Sequence, residues 1–117
     1  NIYKVNPPIR EKEDREFLID IFNNSFFDIL GTDHAPHLLK EKESDNPLSG
    51  IPGIETAFYV LYKLYENGDI SLPIIFKLLT SGYQIFKLKK RGKIISGNIA
   101  DITIIKKEKF YSYHYDH

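Results

Sequence analysis

The apolar positions Phe17, Leu18, Ile21 and Phe22 recur at helical spacing behind the charged run 11–16, which predicts an amphipathic helix with acidic residues in its first turn. Asn23-Asn24-Ser25 should end it. Residues 1–10 carry Pro7 and Pro8, and the residue before a proline is pushed towards extended geometry, so this stretch reads as a strand end running into a loop. Residues 26–31 form a short apolar run bounded by turn residues. That is the pattern of a strand buried on both faces in a parallel sheet, and it leads directly into Thr32-Asp33-His34-Ala35-Pro36-His37.

Residues 38–49 turn charged and polar and predict a mobile surface loop. Ser49-Gly50-Ile51-Pro52-Gly53 should then make a tight turn before a helix over roughly 54–67, closed by Asn67-Gly68. A further helix is expected from Ser71, with Ser71 as its cap and Pro73 in the first turn, where a missing N–H costs little, running to about residue 88. In 93–105, β-branched runs flank a Gly-containing connection and predict a hairpin. Residues 106–117 are aromatic and polar without usable periodicity and receive no assignment.

This order predicts an α/β architecture: the C-terminal units of a (β/α)8 TIM barrel over residues 1–90, then the start of a small β-sandwich domain with its tail over 91–117. A complete barrel needs about 250 residues, so 117 supply less than half of one. Sixteen Lys plus Arg balance sixteen Asp plus Glu, which leaves no global field to recruit nucleic acid or an anionic membrane. No apolar run approaches the roughly 18 residues of a spanning helix. With no cysteine there is neither a disulfide framework nor a thiolate metal site, which suits a cytoplasmic protein. The chain opens on Asn1 and contains no methionine, so position 1 is not expected to be the natural start.

Asp33 falls where the expected buried strand ends, the rim of a barrel at which side chains from different strands converge on substrate. A carboxylate there can ligate a divalent metal and accept a proton from water, or it can simply cap the following turn, and spacing alone supports both readings. His34 and His37 would make a D-H-x-x-H cluster with it, but Ala35-Pro36 forces extended backbone and spoils a shared helical face. The glycines flanking Ile51-Pro52 allow a backbone to approach a small ligand, or form an ordinary turn before a helix. Asn6 ahead of Pro7-Pro8 is either held rigidly in a pocket or part of a plain loop.

Taken together, KVNPPIR followed by EDRE, then GTDHAPH, SGIPGIET and GKIISGNIADITII resemble the C-terminal part of bacterial-type dihydroorotases of the amidohydrolase superfamily, over roughly residues 3–105. The resemblance implies a metal-dependent barrel hydrolase, a zinc cofactor of one or two ions, and dihydroorotate or N-carbamoyl-aspartate as substrate in pyrimidine biosynthesis. Asp33 matches the aspartate that contacts the more buried zinc and shuttles the proton. His37 matches a histidine for the substrate carboxylate, Asn6 a substrate-binding asparagine, and the Pro52-Gly53 backbone the segment bonded to the dihydropyrimidine ring. His34 matches no family ligand. The family also includes homo-oligomers, partners of aspartate transcarbamoylase that lack catalysis, and relatives acting on hydantoins, dihydropyrimidines or allantoin, against which His37 speaks. Its His-x-His pair, bridging carboxylated lysine or alternative carboxylate, two later histidines and substrate arginine have no counterpart in these 117 residues, so the chain alone is expected to be inactive. Thr80-Ser81-Gly82 also departs from the usual Thr-x-Asn-Pro.

Overall fold

In the computed structural model, residues 2–106 are described; the unassigned tail and the far end of the expected β domain lie outside them, at 107–117. Five helices occur among the described residues: α1 (Lys12–Asn23), α2 (Leu39–Lys42), α3 (Ala57–Glu66), α4 (Leu72–Thr80) and α5 (Gly82–Ile85). The core sits between α3 and α4, where Leu61, Ile70, Ile75 and Leu78 are buried.

Helix α1 forms where its periodicity places it. Its first turn is closed by the Asp14 carboxylate, which accepts the Glu11 amide at 3.1 Å and so satisfies one of the donors a helix start leaves unpaired. Asn24 ends it, the side-chain amide donating back to the Asp20 carbonyl at 2.9 Å. Ile19 and Phe22 turn towards the core, whereas Phe17 and Leu18 remain 64% and 46% exposed. The Asn23 amide donates to the Asp69 carbonyl at 2.8 Å, fixing the end of α1 to the α3–α4 connection.

That connection is a Schellman turn. The amide of Gly68 donates to the Tyr65 carbonyl and that of Asp69 to the Leu64 carbonyl. Gly68 itself has φ +82°, a conformation that favours glycine and explains the Asn67-Gly68 stop. The helix starts three residues later than the sequence predicts, because 54–56 are a turn. In α4, Pro73 sits in the first turn as expected, but the Ser71 hydroxyl makes no cap bond; the Ser71 carbonyl instead accepts the amides of Ile74 and Ile75. The single helix expected to reach residue 88 is divided at Ser81. Thr80 and Ser81 each turn a hydroxyl back onto the carbonyl four residues earlier, at 2.6 and 2.7 Å, which competes with backbone continuation, and α5 follows as a short piece.

None of the predicted β regions forms a strand among the described residues; residues 2–10, expected to open on a strand end, hold only turns, bends and irregular backbone. Residues 26–31 lie along α4, with the Leu30 amide donating to the Leu78 carbonyl at 3.0 Å and Lys77 reaching both the Ser25 carbonyl and Asp28. A parallel strand needs neighbours on its own sheet to take up its N–H and C=O groups, and no second strand among the described residues stands beside this run. The expected hairpin at 93–105 is a folded turn instead, held by the Ile99 amide on the Lys90 carbonyl at 2.8 Å and by an Arg91–Asp101 ion pair. Nor is 38–49 a featureless loop: α2 lies within it, and Lys42 at its end is only 6% exposed.

Candidate functional site

Three segments bearing chemistry, distant in sequence, lie against one another. Residues 32–37 and 49–54 run side by side through a parallel bridge between His34 and Ile51, with the Ala35 amide donating to the Ile51 carbonyl at 3.1 Å. The N-terminal segment joins through Lys4, whose carbonyl accepts the Gly50 amide at 3.0 Å. Asn6 is two residues further along this segment, and its side chain is exposed.

Glycine is required at both ends of the 50–53 turn for steric reasons. Gly50 has φ +137°, and a Cβ there would fall 2.6 Å from the Ala35 Cβ and 2.7 Å from its carbonyl oxygen. At Gly53 a Cβ would fall 2.7 Å from the Thr32 carbonyl oxygen, so the backbone of the turn comes directly against the residue preceding Asp33.

His34, left without a role by the sequence, makes the most specific contact between these segments. Its Nδ1 accepts the amides of Gly53 at 3.0 Å and Ile54 at 3.2 Å, so this nitrogen carries no proton and the ring hydrogen is on Nε2. His37 contacts the Ser49 carbonyl through Nε2 at 3.2 Å. The carbonyl requires that nitrogen to donate.

Asp33 stands exposed between these contacts with φ +46°, and its carboxylate forms no hydrogen bond among the described residues; the turn is held by His34 and the backbone rather than by an aspartate cap. In the 50–53 turn, the Gly53 amide is taken by His34 and its carbonyl by the Ala57 amide at 2.9 Å. The adjacent Pro52 carbonyl accepts no hydrogen bond among the described residues. Asp33 and the Pro52 carbonyl are thus uncommitted polar groups of these segments, alongside the exposed Asn6 side chain.

Lys42 closes the arrangement. Its ammonium donates to the carbonyls of Lys4 at 2.8 Å, Leu48 at 2.9 Å and Gly50 at 2.8 Å. Sequence reading passes over it because a lysine in a charged loop is ordinarily solvated, and no local pattern announces three carbonyls converging from separate segments. A cleft of about 510 Å³ lies elsewhere, between α4 and residues 92–103, and includes none of these groups.

No family model matches the chain. Among curated proteins it is 42% identical over 110 residues to a dihydroorotase of Clostridium botulinum, covering 93% of this chain and 27% of that protein. It is 44% identical over 105 residues to one of Methanosphaera stadtmanae, covering 87% and 24%, and 38% identical over 110 residues to one of Archaeoglobus fulgidus, covering 93% and 26%. The chain belongs to the dihydroorotase family. It spans about a quarter of the length of the curated dihydroorotases it matches.

A family with a metal-dependent reaction raises the question of which donors this chain could supply. Asp33 is an exposed oxygen donor of the right chemistry. His34 has committed Nδ1 to the backbone, and among the described residues no three His, Cys, Asp or Glu side chains gather as a metal cage. A catalytic zinc takes about three protein ligands, so the described residues do not fit a complete centre. No helix among the described residues is long and apolar enough to cross a membrane.

Proposed function

We propose that the protein carrying this chain is a zinc-dependent dihydroorotase of the TIM-barrel type, reversibly interconverting N-carbamoyl-aspartate and dihydroorotate, and that this chain contributes the last barrel units and one side of the substrate pocket. The observation that carries this reading is the convergence of 32–37, 49–54 and the segment of Asn6 on Lys42 and His34, which turns short, separate motifs into one contiguous surface.

The residues divide the task by chemistry. Ring opening breaks the cyclic amide C–N bond, forms a C–O bond to water and delivers a proton to the leaving nitrogen. Asp33, whose carboxylate is not committed to a structural bond, carries that proton and contributes one oxygen to the metal site. His37 binds the substrate carboxylate through Nδ1, as a donor when the ring is protonated. The Pro52 carbonyl accepts from the ring N–H, Gly53 lets that backbone approach closely, and the Asn6 amide bonds a ring polar group. The remaining metal donors must come from outside the described residues 2–106. Pyrimidine biosynthesis in the cytoplasm follows from the same reading, as does the family's tendency to homo-oligomers or to association with aspartate transcarbamoylase.

The test is the full-length protein assayed in both directions, following dihydroorotate formation from N-carbamoyl-aspartate and its hydrolysis. Interconversion by the metal-loaded protein is expected. Turnover of a hydantoin or allantoin with none of dihydroorotate would overturn the assignment.

A further inference from the structure

Buried lysines are uncommon because an ammonium loses its hydration on burial, and they persist where other groups replace the lost water. Lys42 meets that condition with three backbone carbonyls at 2.8–2.9 Å, one for each of its protons. The identity of these carbonyls is informative. Lys4 lies two residues before Asn6 and Gly50 two residues before Pro52, while Leu48 opens the approach to the same turn. The Lys4 carbonyl is shared, accepting the Gly50 amide as well. A short helix, α2, delivers the side chain, its first turn closed by the Glu41 carboxylate on the Leu38 amide at 2.8 Å.

We infer that Lys42 is a positioning residue for substrate: its ammonium sets the distance between the Asn6 segment and the Pro52-Gly53 turn, and thereby the width of the ring-binding half of the pocket. The inference rests on the functional reading above. Asp33 is held through different contacts, by the His34 ring on Gly53 and Ile54 and by the Ala35–Ile51 hydrogen bond. The cage bonds to no residue of 32–37, so its loss acts first on the Asn6 segment and the Gly50 end of the turn, and thereby on binding. A residue that merely stabilised the fold would show no such division between KM and kcat.

The experiment compares wild-type full-length protein with Lys42→Met, which keeps an unbranched apolar side chain and removes all three donors. Misplacing a binding group by about 1 Å costs up to roughly 100-fold, so KM for dihydroorotate should rise about 10- to 100-fold while kcat stays within about threefold and metal content is unchanged. Amide hydrogen exchange, read without substrate, should lose protection at Gly50. Lys42→Arg restores a cation whose donors are planar rather than tetrahedral, and should raise KM by only a fewfold. Should Lys42→Met fail to fold, Lys42→Arg carries the comparison, and a wild-type KM in it overturns the inference. So does a folded Lys42→Met with KM within about twofold of wild type, or one in which kcat and metal content fall while KM holds. If the wild-type protein turns over no dihydroorotate, the functional reading fails separately. Exchange at Gly50 then decides the positioning role alone: unchanged protection in Lys42→Met rejects it, and lost protection upholds it.

Discussion

An aspartate at φ +46° could hold a turn or act on a substrate, and the two roles leave different traces in its surroundings. A cap would place a carboxylate oxygen on a nearby backbone amide. Behind Asp33 the Ala35 amide goes to the Ile51 carbonyl instead and Pro36 has no N–H, and Asp33 keeps an exposed carboxylate. Asparagine preserves its size and its tolerance of left-handed backbone, but cannot carry a proton. In the full-length protein, Asp33→Asn is therefore expected to lower kcat by about 10² to 10⁴ in both directions while changing stability by less than about 1 kcal/mol. The measurement pairs steady-state kinetics with metal analysis and a melting curve. A variant that holds its metal and keeps more than about a tenth of parental kcat would show that another group moves the proton.

At the scale of elements, legibility in the sequence depended on where each element finds its partners. Helix α1 and the Asn67-Gly68 stop were legible because a helix satisfies its backbone internally and its cap lies within a few residues. The strands expected over 26–31 and 93–105 did not form for the complementary reason: a strand is completed by a neighbour, and an apolar or β-branched run does not say whether one stands beside it. Residues 32–37 and 49–53 were legible as motif segments, but their joint placement depends on His34 and Lys42, which reach partners as far as 20 and 38 residues away. The close contact at Gly50 makes that placement testable. Gly50→Ala combines a disfavoured positive φ with a Cβ 2.6 Å from the Ala35 Cβ, and should destabilise the full-length protein by about 2 to 4 kcal/mol. Chemical denaturation gives the value, and a loss below about 0.5 kcal/mol would mean that the turn and residues 32–37 do not pack against each other.

For the whole molecule, the balance lies between a small core and a large apolar exterior. Four buried hydrophobics form the core among the described residues, while Ile9, Phe17, Phe26, Phe76 and Phe86 stand 59–77% exposed. Single exposed apolar side chains are ordinary on any protein surface, but these are large and occur on α1, on α4 and in the segments outside the helices. Surface ion pairs do not compensate: Lys12–Glu16 at 3.3 Å and Lys63–Glu66 at 3.8 Å lie at the surface, and such pairs contribute about 0–1 kcal/mol each. The net charge of zero removes the repulsion that keeps molecules apart. The 117-residue chain in isolation should therefore self-associate at micromolar concentration and bind a dye specific for exposed apolar surface. It should also retain no zinc after dialysis against a weak chelator, since Asp33 alone cannot replace the roughly three ligands a stable site requires. Sedimentation velocity and metal analysis on the same preparation decide the matter: a monodisperse monomer with stoichiometric zinc would mean that the apolar side chains on α1 and α4 pack together and that His34 leaves the backbone to join His37 and Asp33 on the metal.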